Sequence, residues 1–142
     1  MTPDYDKIGL LAIRDNRILL CRKRHTTSLL ILPGGCLEPG ETAAQCLSRE
    51  LREELGEVRL EQVEYVGTYT DRAAGESHKT VRIELYRAEL IGDVSPHSEI
   101  KELVWFAGNA DPAQLAPSLR NQILPDLIHR GILLWPECLR GS

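Results

Sequence analysis

Residues 33–58 read PGGCLEPGETAAQCLSRELREELGEV. A Pro33-Gly34-Gly35 stop leads into a polar loop, and residues 42–55 then run without Gly or Pro. Ala, Leu, Glu, Gln and Arg dominate that run and lose little side-chain freedom in a helix. Gly56 follows where helices commonly end, and Thr42 or Glu41 can serve the first turn. At about 100° per residue, Ala44, Leu47, Leu51 and Leu55 share a narrow stripe, the face expected to bury against a sheet. Glu50, Glu53 and Glu54 occupy an arc of roughly 100° beside that stripe. A solvated charge run normally lies opposite the core, and three carboxylates on one face repel. A hard divalent cation such as Mg²⁺ resolves the repulsion, since it takes carboxylate, carbonyl and water oxygens. The three acids alone would favour a solvated face. Gly34, Gly35, Glu41, Arg49 and Gly56 at fixed spacings shift the reading towards a site.

Working outward, residues 8–13 and 18–21 are apolar runs around Asp15-Asn16, which reads as a β-hairpin. The basic cluster Arg22-Lys23-Arg24-His25 ends its second strand, and residues 29–32 form another short strand. Residues 58–70 read as one or two strands, and 71–79 as a polar, Gly-containing loop. Residues 80–90, TVRIELYRAEL, alternate apolar with charged and mark a half-exposed strand. A loop over 92–98 precedes a final strand at 103–106. Residues 113–130 are helical in composition, with Pro125 set to kink or divide them, and 132–135 is an apolar tail suited to docking on the core. Strands around one strong helix, with a second helix late in the chain, imply an α/β fold with one domain over 1–142.

The chain has 142 residues, 17 Lys plus Arg against 21 Asp plus Glu, and a net charge of −4. That balance argues against a nucleic-acid polymer as partner, because phosphate neutralisation needs excess cations. With 42% apolar and 27% charged residues, the composition is that of an ordinary globular protein. Cys21, Cys36, Cys46 and Cys138 show no zinc-ligand spacing and read as reduced thiols. The acidic N-terminus does not resemble a secretory signal, and the longest aliphatic runs are too short to span a bilayer. The expectation is a cytoplasmic protein without a membrane partner.

The segment from Gly35 to Gly56 resembles the signature of the Nudix hydrolase family, Gly-x5-Glu-x7-Arg-Glu-aliphatic-x-Glu-Glu-x-Gly-aliphatic. Gly35, Glu41, Arg49, Glu50, Leu51, Glu53, Glu54 and Gly56 carry the match, while Glu57 stands where the family has an aliphatic residue. Val58 can supply that apolar contact. The resemblance implies an α/β/α sandwich with a mixed β-sheet. It also implies Mg²⁺- or Mn²⁺-dependent hydrolysis, in which water opens the pyrophosphate linkage of a nucleoside diphosphate joined to another group.

By the same resemblance, Glu50, Glu53 and Glu54 would hold the metal, with the Gly34 carbonyl as a further oxygen ligand. Glu50 or Glu53 would orient or deprotonate the attacking water. Arg49, four residues before Glu53, can hold the acids through charge-assisted hydrogen bonds. Glu41 either orients its neighbours or meets the helix dipole, and Gly34 and Gly35 allow close backbone approach. Gly56 is a helix stop.

Outside the segment, Arg22 and Arg24 either grip phosphate or form an exposed basic edge. Glu99 lies where the family often carries an additional catalytic carboxylate. The substrate favoured is a nucleoside or deoxynucleoside triphosphate, cleaved by a monomer or homodimer. ADP-ribose or another nucleotide sugar, a dinucleoside polyphosphate, and a non-catalytic nucleotide-sensing module are the alternatives. No Gly-Lys-Ser/Thr follows the glycines, which disfavours a P-loop NTPase, and no alternating Asp/Asn loop suggests an EF-hand.

Overall fold

The computed structural model describes residues 2–25 and 27–136, so Cys138 lies outside the described residues. The strands are β1 (Tyr5–Leu11), β2 (Ile13–Arg14), β3 (Arg17–Lys23), β4 (Gly34–Cys36), β5 (Arg59–Ala73), β6 (Glu76–Ile91) and β7 (Ile100–Phe106). Helix α1 (Ala43–Leu55) falls between β4 and β5, and α2 (Leu124–His129) lies near the end. One sheet has the order β4-β1-β6-β5 and the other β2-β3-β7. β1 runs parallel to β6 and antiparallel to β4, so the first sheet is mixed.

Strand periodicity divides the core into two layers, because successive side chains face opposite ways. Ile8, Leu10, Leu19, Ala88 and Leu90 pack with Cys46, Leu47, Leu51 and Leu55 of α1. Leu11, Ile18, Leu20, Val81, Ile83 and Leu85 pack with Leu124, Leu127 and Ile128 of α2. The helices therefore cover opposite faces of the strands. Among the described residues no helix is long and apolar enough to cross a membrane.

Helix α1 begins in a capping box: the Thr42 hydroxyl accepts from Gln45 N at 3.1 Å, and Thr42 N donates to Gln45 Oε1 at 2.9 Å. At its other end, Ser95 N donates to the Leu55 carbonyl and His97 N to the Glu54 carbonyl, which the helix itself leaves unpaired. The loop between β6 and β7 thus caps α1. The buried face differs from the expected stripe. Ala44 is exposed, whereas Cys46, Leu47, Leu51, Glu54 and Leu55 are buried. The buried arc is turned towards the acids, with Glu54 near its middle.

Four other expectations are corrected. The apolar run at 8–13 divides at Ala12, so β1 joins the first sheet and only β2 forms the hairpin with β3. Asp15 and Asn16 supply positive φ values of 51° and 59°, the requirement of a tight hairpin turn. Residues 29–32 make isolated bridges, Leu30 with Leu115 and Ile31 with Cys21, while the expected stop at Gly34-Gly35 is itself strand β4. The polar stretch 71–79 is the closed end of a long β5–β6 hairpin that pairs out to Ala73 and Glu76. The late helical stretch is a 3₁₀ turn at Pro112–Gln114, a π-helical turn at Leu119–Ile123 and then α2, with Pro125 in the first turn of α2. The tail does dock: Leu133 and Trp135 are buried, and Trp135 Nε1 donates to the Asn16 carbonyl at 2.6 Å.

Candidate active site

Strand β4 and helix α1 meet at two glycines. Gly34 N donates to Glu54 Oε1 at 3.0 Å, across 20 residues of sequence. A Cβ on Gly35 would stand 2.3 Å from Glu50 Cδ and 2.5 and 2.6 Å from its two oxygens. Gly34 also has φ +140°, and a Cβ there would lie 2.1 Å from the Ile8 carbonyl. The sheet edge has no side chain at either place, and two helix carboxylates close against its backbone.

The three acids do not share one environment. Glu54 is buried at 7% exposure, Glu50 is 17% exposed at its side chain and Glu53 59%. Burial pushes the Glu54 carboxyl up to about 7, against the Gly34 N–H, which favours the charged form. Glu54 forms no ion pair among the described residues. Its buried carboxylate, unpaired by any cation among them and with the Arg49-bound Glu50 near it, offers hard oxygen donors, and this chemistry fits Mg²⁺ or Mn²⁺. The cage is not preformed: among the described residues no three His, Cys, Asp or Glu side chains are gathered closely enough to hold an ion. Glu53 is the outlying member.

Arg49 organises the rest. Its Nε donates to Glu41 Oε2 at 2.7 Å and its Nη2 to Glu41 Oε1 at 3.0 Å, a bidentate pair. Nη2 also reaches the Cys36 carbonyl at 3.1 Å, and Nη1 donates to Glu50 Oε1 at 2.9 Å. Glu53 Oε1 stands at 3.8 Å. Among the acids of α1, Arg49 holds Glu50 most closely, and Glu41 from the preceding loop is its bidentate partner. Glu41 thus pairs with Arg49 rather than with the end of the helix, and Thr42 is the helix cap. The Arg49 guanidinium, then the Glu38 N–H, draw the Glu41 carboxyl down to about 2. Glu41 and Glu50 raise the Arg49 pKa.

A cavity of about 250 Å³ opens beside Gly34 and Gly35. Ile31, Leu32, Val81, Ile83 and Leu119 form apolar walls, and Tyr5, Lys7, Lys23, His25 and Glu76 bring polar groups. Arg22 and Arg24 do not line it. Arg22 is bound to Glu102, the Ser28 carbonyl and Gln114, and Arg24 Nε reaches the Ser98 carbonyl at 3.5 Å. Lys23 lies past an irregularity in the β3–β7 register at Arg22/Lys23 and lines the cavity, while Arg24 follows the end of β3. The basic cluster at residues 22–25 contained Lys23 without singling it out, whereas Lys7 gave no signal before the register of β1 was known. Glu99 is exposed at the start of β7, where its carbonyl accepts from Arg24 N at 2.8 Å. No side-chain contact joins Glu99 to the acids of α1 among the described residues.

Known proteins resemble this chain in sequence and fold. The NUDIX domain matches residues 6–127 of the chain. A NUDIX hydrolase from Nitrosomonas europaea superposes with a TM-score of 0.72 at 25% identity, covering 99% of this chain and 100% of that one. A MutT NUDIX hydrolase from Burkholderia pseudomallei gives 0.67 at 26% identity, covering 79% and 89%. An NAD-capped RNA hydrolase NudC from Pseudomonas fluorescens is 30% identical over 105 residues, 72% of this chain and 36% of its own length. A Vibrio atlanticus protein of the same name is 41% identical over 61 residues, 42% of this chain and 22% of its own length. The chain spans about a third or less of both of these relatives.

Proposed function

We propose that this chain, which belongs to the NUDIX domain family and is a Nudix hydrolase, a pyrophosphohydrolase, cleaves a nucleoside or deoxynucleoside triphosphate with Mg²⁺ as cofactor. The observation that carries this reading is the junction at Gly34 and Gly35. It brings Glu50 and Glu54 against the same two glycines that line a small cavity suited to a single nucleoside. Substrates with two nucleosides would leave one outside.

Glu54 and Glu50, with Glu53 swung inward, would hold the cation. Bound there, the ion supplies charge neutralisation at the phosphate oxygens and lowers the pKa of water. Water attacks a phosphorus, one P–O bond of the pyrophosphate linkage breaks, and the proton of the water passes to a carboxylate. Glu50 is better placed than Glu53 to orient that water, because Arg49 and the Gly35 backbone fix its position. Arg49 and Glu41 touch no substrate; they position Glu50.

A hydrolysis panel with Mg²⁺ tests this: four deoxynucleoside and four nucleoside triphosphates, ADP-ribose, NAD and a dinucleoside polyphosphate, with phosphate and pyrophosphate separated. One or more triphosphates should give the highest kcat/KM and release pyrophosphate, and a chelator should abolish turnover. ADP-ribose, NAD or a dinucleoside polyphosphate surpassing every triphosphate would overturn the substrate, and undiminished activity in chelator would overturn the metal.

A further inference from the structure

Lys7 and Lys23 both line the cavity beside Gly34 and Gly35, and neither forms an ion pair or side-chain hydrogen bond among the described residues. Lys7 belongs to β1, which is paired on both sides, to β4 at Cys36 and to β6 at Ile83. It therefore cannot be explained as a charge that protects an exposed sheet edge. Its Nζ lies 5.5 Å from the centroid of the Tyr5 ring. Burial, and next the Lys23 ammonium, hold the Lys7 pKa below its ordinary value. Both ammoniums are close enough to Glu54 to favour its charged form, yet neither is bonded to it.

Two cations that make no ion pair or side-chain hydrogen bond among the described residues, in a cavity with Ile31, Leu32, Val81 and Ile83 in its walls, repel each other in a medium that screens poorly. Glu54 and Glu50 lie near enough to attract Lys7 without bonding to it, so no group among the described residues bridges the two ammoniums. An anion that reaches both would. We propose that Lys7 and Lys23 form a two-cation seat for the polyphosphate chain of the substrate, and that Lys7 sets a preference for a triphosphate over a diphosphate joined to a sugar. This inference rests on the triphosphate reading above and deepens it.

The preference follows from charge. The attraction of a fixed ammonium grows in proportion to the charge of the ligand. A nucleoside triphosphate carries about four negative charges and ADP-ribose about two, so a substitution that costs ADP-ribose roughly threefold should cost the triphosphate about tenfold. Lysine is suited to the place because it offers three donors on a flexible stem and no acceptor.

The test has two arms on the whole chain. In the first, calorimetric titration with inorganic tripolyphosphate and Mg²⁺ compares the native protein with Lys7→Met, Lys23→Met and Lys7→Arg. Each Met variant should weaken binding about tenfold and Lys7→Arg by less than threefold, since the charge remains. Melting curves accompany each variant, and Lys7→Gln replaces Lys7→Met if the latter fails to fold. Unchanged binding in both Met variants, or no binding by the native protein, overturns the seat. In the second arm, kcat/KM for the best triphosphate and for ADP-ribose is measured in Lys7→Met. A larger loss for the triphosphate, residing in KM, supports the preference, and equal losses overturn it. If tripolyphosphate binding depends on the lysines while no triphosphate is hydrolysed, the substrate reading fails and the seat stands.

Discussion

Replacing Gly35 by Ala would isolate the positioning of Glu50 from the stability of the fold. The added methyl carbon would lie 2.3 Å from Glu50 Cδ. Non-bonded carbons rest about 3.5 Å apart, so the carboxylate must retreat by about 1.2 Å. A displacement of about 1 Å in a reacting constellation can cost about 100-fold in rate. The same retreat strains the 2.9 Å hydrogen bond from Arg49 Nη1, which otherwise holds the carboxylate in place. The backbone at Gly35 is outside the left-handed region, and the obstructing atoms end a flexible side chain, so stability should change by no more than about 1 kcal/mol. Gly34→Ala is the contrast: its φ of +140° and the 2.1 Å approach to the Ile8 carbonyl set backbone against backbone, and this variant should unfold. The assay is kcat at saturating Mg²⁺ and nucleotide, alongside a melting curve, for Gly35→Ala, Glu50→Gln and the double variant. Gly35→Ala should lose about 100-fold in kcat alone and almost nothing further in the Glu50→Gln background, because the carboxylate it displaces is already gone. Native kcat in Gly35→Ala, or additive losses in the double variant, would refute the argument that Gly35 acts through Glu50.

Arg49→Lys keeps the charge but cannot reach Glu41, the Cys36 carbonyl and Glu50 together, so kcat should fall at least about tenfold while the circular-dichroism spectrum is retained. Glu54→Gln removes a buried charge and keeps an oxygen for Gly34 N; without metal its melting temperature should equal or exceed that of the native protein. Added Mg²⁺ should raise the native melting temperature and leave Glu54→Gln nearly unmoved, with turnover down by orders of magnitude. Glu41 is held at about 2 against an ordinary 4.5, so its ion pair stabilises the fold fully above pH 4.5 and is lost as pH falls towards 2. The melting difference between the native protein and Glu41→Gln should therefore be constant near neutrality and shrink over that acidic window.

The helix was legible from sequence because its signals are local. Thr42, the unbroken run and Gly56 act within a few residues of one another, and α1 spans Ala43–Leu55 between them. Strand partners are set by residues far away, and there the reading faltered. Nothing in the apolar run at 8–13 announces that the chain leaves one sheet for the other at Ala12, since its one glycine, Gly9, lies inside β1 and Ala12 is flanked by Leu11 and Ile13. The end of the β5–β6 hairpin read as a loop because Arg72, Ser77 and His78 are exposed, and polar residues on projecting strands lack the alternation that half-burial imposes. Ala44 was placed in the buried stripe because Ala is neutral between core and surface. Glu54 lies beside Leu47 near the centre of the buried arc.

For the site, what could be read was the part that one helix carries. Glu50, Glu53 and Glu54 were recognisable together, although their exposures differ because the face of α1 rolls from solvent into the sheet across them. The cavity could not be read, since Lys7, Lys23 and Ile83 come from β1, β3 and β6 and meet only through register. Yet one long-range feature was written in the sequence in advance. Gly35 stands fifteen residues before Glu50 and Gly34 twenty before Glu54, and those are the pairs that touch. A glycine in a strand weakens it unless something must come close. Two in succession at a sheet edge, followed at those separations by two acids a helical turn apart, describe a backbone cleared for a pair of carboxylates. The spacing is thus the record of a contact: lengthening the loop between β4 and α1 would leave every residue type in place and separate the glycines from the acids they accommodate.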